Sequence, residues 1–142
     1  MTRTEVLVIG AGPAGIAAAT AAAENGRRVI VLDDNGSAGG QIWREATVEA
    51  TGSSDREDGG KGRALDRLRR SGAQVLGGRC VFSAEASGTV QTSQETASGS
   101  RVEQFRFEQL ILAPGARERF LPFPGWTLPG VFGAGGLQAL VK

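Results

Sequence analysis

The sequence predicts an α/β fold, a parallel sheet with a small antiparallel meander attached. Three observations predict it. Residues 5–9 and 28–32 are short apolar runs on either side of an alanine-rich helical stretch, and a compact apolar run recurs at 109–113. Between 79 and 107, three extended segments are separated by Ser/Gly turns.

Each element has its own reason. Residues 5–9 are almost continuously apolar and run into glycine, as a strand covered on both faces does. Residues 13–25 are rich in alanine, the best helix former. Pro13 suits the first helical turn and Gly26 the C-terminal end. Residues 28–32 form the second strand and end at Asp33 and Asp34. Strand, helix and strand therefore fit within about 30 residues, the size of one βαβ unit. Residues 34–40 are a loop, 41–45 a turn or the start of a helix, and 46–60 a polar, glycine-rich connection. Residues 61–71 return to helical spacing, with Ala64, Leu65 and Leu68 on one face and Arg63, Arg67, Arg69 and Arg70 solvated around it. Residues 73–76 are a third strand. Segments near 79–86, 88–94 and 101–107 form the meander, and 109–113 adds the last strand before Pro114 and Gly115. GAGG at 133–136 follows no strand and reads as a turn opening a helix at 137–142.

Composition narrows the function. Lys plus Arg is 16 against 15 for Asp plus Glu, so nothing in the charge balance calls for nucleic acid. No apolar stretch reaches the roughly 20 residues of a membrane-spanning helix, and the N-terminus lacks the order of a secretory signal. A cytoplasmic location is expected. The single cysteine, Cys80, excludes an internal disulfide, a CxxC pair and a zinc site, and its strand-like setting predicts a buried, inert thiol. With no histidine the commonest general base is absent, so difficult chemistry has to come from a bound cofactor or another chain.

The chemistry-bearing signals are three glycine-centred motifs. Gly10, Gly12 and Gly15 form GAGPAG between a strand and a helix. In such a fingerprint the first glycine allows the tight turn, the second lets backbone approach a pyrophosphate and the third lets the helix pack on the sheet. Free N–H groups at the helix N-terminus then meet the phosphates. Asp33 stands 18 residues after Gly15, near the roughly 20 expected of the ribose-binding carboxylate. Asp34 takes that place if the strand ends one residue later. Either acid repels a 2′-phosphate and so disfavours NADP. These features establish a dinucleotide without choosing between FAD and NAD. Gly39, Gly40 and Gln41 form the second motif, which read alone is equally an ordinary loop. Ala113, Pro114, Gly115 and Ala116 form the third, a strand stopping sharply at glycine. Together the second and third motifs favour flavin.

In order along the chain, GAGPAG at 10–15, GGQIWR at 39–44 and LAPGARERFLPFPGW at 112–126 resemble the two-dinucleotide-domain flavoproteins, the group that includes the pyridine nucleotide-disulfide oxidoreductases. GGQIWR and the tail from Gly115 to Lys142 are most similar to flavin subunits of amine and imino-acid dehydrogenases, of the opine oxidase, hydrogen cyanide synthase and D-hydroxyproline dehydrogenase types. The likeness implies a Rossmann-type, partial FAD-binding domain over residues 1–126. It implies a linker over 127–142 toward a second nucleotide-binding domain, and a later closing segment that this sequence does not contain. It also implies FAD as cofactor and oxidation of a C–N bond in a small amino or imino acid or opine, within a larger complex. By the same likeness Gly10, Gly12, Pro13 and Ala14 lie on the FAD pyrophosphate, Asp33 on the adenosine ribose, and Gly40 and Gln41 along the ribityl and phosphate side. The backbone of Val81 meets the adenine edge, and Ala113, Gly115 and Ala116 close over the cofactor. Pro114 stands where the group usually has Thr, which removes a hydroxyl and an N–H. No catalytic side chain is assigned. An NAD-binding module without flavin and a truncated, non-catalytic interaction subunit are the alternative readings. Arg117 and Arg119 are expected to be exposed or paired charges.

Overall fold

A computed structural model describes residues 1–43 and 58–141. The βαβ unit is present as β2 (Val6–Ile9), α1 (Pro13–Glu24) and β3 (Val29–Leu32), preceded by a short β1 (Thr2–Arg3). Next come α2 (Asp58–Ser71), β4 (Gln74–Leu76), β5 (Cys80–Glu85), β6 (Thr89–Thr96), β7 (Gly99–Arg106), β8 (Gln109–Leu112) and α3 (Ala134–Val141). One sheet has the order β4-β3-β2-β8, with every pair parallel. The other has the order β1-β7-β6-β5, antiparallel except where β1 joins β7. The expected architecture is therefore the observed one. β1 is an addition to it, because two residues carry no periodicity and their strand identity comes from backbone pairing to Phe105 and Arg106.

The parallel sheet is the middle layer. Val6, Val8, Val29 and Val31 pack with Ile16 and Ala19 of α1 and Leu68 of α2. Leu7, Ile30 and Leu32 face the other way, onto Val90 and Phe105 of the meander. Alternation along β2 and β3 thus feeds two cores, which is why these strands read as continuous apolar runs. Alanine suits α1 because small side chains let a helix lie close to the sheet, and Ala64 and Leu65 of α2 border the same core.

The parallel strands end together at one edge, and four loops meet there. Gly10 N–H donates to the Leu32 carbonyl at 2.7 Å, and Ala113 N–H donates to the Ile9 carbonyl at 2.8 Å. Arg79 N–H donates to the Asp33 carbonyl at 2.8 Å, which brings the start of the meander to the end of β3. Residues 41–43 form a turn; residues 44 and 45 of that expected element lie outside the described residues, as do 46–57. Residues 134–136 already belong to α3, so the GAGG stretch starts the helix instead of preceding it. Cys80 is exposed at the start of the edge strand β5, correcting the expectation of a buried thiol. Its neighbours alternate between faces, and Cys80 falls on the outer one.

A bidentate ion pair joins the two helices: Arg67 donates to Glu24 at 2.7 and 2.6 Å. The hydrogen bonds from Arg67 hold the Glu24 carboxyl below its ordinary value of 4.5 and raise the guanidinium in turn. A carboxylate lowered by folding stabilises the native state above its unfolded pKa, and that contribution fades as pH falls through the folded value. Both groups are solvent-facing, so the effect is small. Arg67→Ala should therefore lower Tm slightly at neutral pH, and thermal melts should show the gap to the parent closing below about pH 4. A gap that is constant with pH would assign the loss to packing by the Arg67 stem.

Candidate functional site

The three glycine motifs, far apart in sequence, converge at the carboxyl edge of the parallel sheet. Gly10 turns out of β2 with φ +102°, and a Cβ there would run into the Ala113 carbonyl. A Cβ on Gly15 would strike the Gly10 carbonyl, so the first turn of α1 lies directly on the loop. Gly40, with φ +61°, brings its backbone against Gly12: a Cβ on Gly40 would sit 2.9 Å from the Gly12 Cα. Gly39 N–H donates to the Ala11 carbonyl at 2.8 Å, fastening the second motif to the first.

At the centre is the N-terminus of α1. Its N-cap is Gly12, Pro13 follows, and neither a side-chain cap nor a first-turn acid is present. The amides of Ala14 and Gly15 belong to the first turn, whose N–H groups have no partner within a helix. A positive dipole end with open amides fits an anionic group such as a diphosphate.

Asp33 and Asp34 are adjacent but differently placed. Asp33 is 7% exposed. Its Oδ2 accepts from the Ala11 N–H, and its Oδ1 accepts from the backbone N–H and side-chain amide of Asn35 at 2.8 and 2.9 Å. These bonds hold the carboxylate rigidly beside the glycine turn, where its remaining lone pairs can accept hydroxyls. Asp34 is half-exposed and pairs with Arg117 at 3.2 Å. Arg117 is thus the paired charge expected, while Arg119 is exposed.

Val81 lies on β5, the outer strand of its sheet, next to a bulge between Val81 and Ser83. Its side chain borders the meander core, leaving backbone along the open strand edge. Gln41 is exposed on the turn after Gly40, and Gly115 and Ala116 are exposed beyond Ala113. Gly10, Gly12, Gly15, Asp33, Gly39, Gly40 and Ala113 therefore meet at one edge of the parallel sheet, whereas Val81 belongs to the neighbouring sheet.

Two further contributors come from outside the three motifs. A Cβ on Gly77 would meet the carbonyl oxygens of Asn35 and Gly36 at 2.7 Å, so this glycine lets the β4–β5 link press against the loop after Asp33. Arg79, mostly buried, bonds the Gly77 carbonyl at 2.7 Å and Glu103 at 3.2 Å, bracing that link. The GG dipeptide at 77–78 is the available sequence signal for the first; the second depends on a partner 24 residues away. Among the described residues no group of His, Cys, Asp or Glu is arranged to hold a metal, and no helix is long and apolar enough to cross a membrane.

Residues 4–137 match the family model described as pyridine nucleotide-disulphide oxidoreductase. The chain is 43% identical over 145 residues to an opine oxidase subunit from Rhizobium meliloti strain 1021, covering all of this chain and 31% of that protein. It is 33% identical over 142 residues to the hydrogen cyanide synthase subunit HcnB of Pseudomonas protegens, covering 96% of this chain and 29% of that one. The chain thus spans about a third of the length of these relatives. A bacillithiol disulfide reductase from Staphylococcus aureus shares the fold, with a TM-score of 0.65 at 15% identity over 91% of this chain and 44% of that one.

Proposed function

The chain belongs to the pyridine nucleotide-disulphide oxidoreductase family, and on that premise we propose that it is the FAD-binding portion of a flavin-dependent oxidoreductase. The observation that carries the reading is the approach of Gly40 to Gly12 over the uncapped start of α1, with Asp33 fixed alongside. Backbone bare of side chains beside open helix amides lets a diphosphate approach closely, and a buried carboxylate accepts ribose hydroxyls while rejecting a 2′-phosphate.

Gly10, Gly12, Pro13, Ala14 and Gly15 take the diphosphate, and Asp33 takes the adenosine ribose. Gly40 and Gln41 lie along the ribityl side, the Val81 backbone meets the adenine edge, and Ala113, Gly115 and Ala116 border the flavin end. A bound flavin supplies two-electron redox chemistry; the residues of this chain bind and orient it. Residues 1–126 serve as the first segment of the FAD domain and 127–142 as the link to a further nucleotide-binding domain.

The relatives, one from an opine oxidase and one from a hydrogen cyanide synthase, support a whole protein that oxidises a C–N bond of an amino acid, imino acid or opine. It works within a cytoplasmic complex of several subunits. The visible spectrum of the purified chain tests the cofactor. Flavin absorption bands, with FAD as the chromophore released on denaturation, are the expected result. A colourless, folded protein that takes up no FAD but gains thermal stability with NAD would replace flavin by a nicotinamide dinucleotide.

A further inference from the structure

Arg117 and Asp34 meet across the mouth of the candidate site. Arg117 follows β8, and Asp34 follows β3. These strands flank β2 on opposite sides. The ion pair between them, at 3.2 Å, therefore spans the carboxyl end of β2, where the glycine turn lies. It ties the 114–119 segment to the acid side of the edge, 83 residues away in sequence.

The two acids are also divided in their duties. Asp33 is bound to backbone of the glycine turn and to Asn35, and is buried. Asp34 gives one oxygen to the Asn35 side chain at 2.9 Å and the other to Arg117. The Arg117 side chain is 91% exposed and that of Asp34 49%, so the pair is weak and exchangeable. A diphosphate offers the same guanidinium a better partner, because it accepts paired, charge-assisted hydrogen bonds and carries more negative charge.

We propose that Arg117 is a cofactor-binding side chain held in reserve: in the free protein it is parked on Asp34, and an arriving dinucleotide draws it onto the diphosphate. Asp34 is then the parking partner and not a ribose ligand. The step is an exchange of ion pairs, with no bond made or broken. The proposal rests on the dinucleotide site described above and adds to it a residue outside the glycine fingerprint.

The test is titration of the full chain with FAD by fluorescence quenching, in low and moderate salt, for the parent, Arg117→Ala, Arg117→Lys, Asp34→Asn and the double variant Arg117→Ala/Asp34→Asn. Arg117→Ala should weaken FAD about tenfold and flatten the salt dependence, with Lys restoring part of both. Asp34→Asn should tighten FAD about threefold when Arg117 is present, because the competing anion is gone. In the Arg117→Ala background that gain should shrink. Thermal melts of these exposed variants should match the parent, which separates binding from folding.

Unchanged affinity in Arg117→Ala overturns the proposal and leaves a plain surface ion pair. Weakened binding in Asp34→Asn overturns it by making Asp34 a ribose ligand. An Asp34→Asn gain as large without Arg117 as with it also overturns it, since simple charge repulsion then explains the effect. If the parent chain is folded and binds no FAD, the flavin reading fails and the proposal fails with it; if FAD binds and the variants misbehave, only the proposal fails.

Discussion

Gly10→Ala should strongly destabilise the βαβ unit. The residue sits at φ +102°, which an L side chain adopts only under strain, and the added Cβ would run into the Ala113 carbonyl. That carbonyl has little room to retreat. The Ala113 N–H is bonded to the Ile9 carbonyl at 2.8 Å, and β8 pairs with β2 along its full length. Strain plus a backbone clash should cost about 3 kcal/mol or more. For a domain of this size that lowers Tm by roughly 10 °C. Gly36→Ala is the matched control, because Gly36 has open space around it and no positive φ. Differential scanning calorimetry of the two variants decides the matter. Equal melting points would mean that the turn and the end of β8 are not locked together.

Gly12→Ala should produce the opposite profile, an intact fold with a damaged site. Gly12 has φ −74° and ψ 179°, a conformation open to any residue. A Cβ there would have the Gly40 Cα as its nearest neighbour at 4.0 Å, an ordinary contact. The melting point should therefore stay close to that of the parent. The methyl nevertheless takes up space beside the uncapped start of α1, where the proposed diphosphate would approach the backbone. A misfit of that kind costs about 1–3 kcal/mol, which weakens FAD by roughly tenfold to a hundredfold. Calorimetric titration with FAD measures it. Parent-like affinity in a folded Gly12→Ala would move the diphosphate away from this turn.

The contrast between these glycines shows what is and is not legible in the sequence. The three motifs can be read because each has a local signature, and β2, β3 and β8 because buried parallel strands are apolar throughout. The meander is legible from its turns and from alternation such as buried Val90 and Thr92 in β6. That Gly10 is structurally obligatory while Gly12 is spatially free cannot be read, since both depend on what residues 113 and 40 do. The Asp34–Arg117 pair and the tight seat of Gly77 are hidden for the same reason. The expectation for Cys80 fails because a strand-like run does not say which of its faces is outward. Glu118, whose carboxylate accepts from Gly135 and Gly136 at 3.2 and 3.3 Å and so caps α3, has no signal beyond an acid and a glycine cluster.

The pairing of β2 with β8 also bears on how the chain is born. The turn at Gly10 is synthesised about 100 residues before the end of the strand that walls it, just ahead of Ala113. At the usual rate of about 5–20 residues per second that is a delay of roughly 5–20 s. During it the edge of β2 has no native neighbour on that side. Closing so long a loop is entropically slow. An exposed apolar edge of this kind invites non-native pairing and is a natural client for a holding chaperone. Translation rate, and not only sequence, should therefore influence the yield of correctly folded protein.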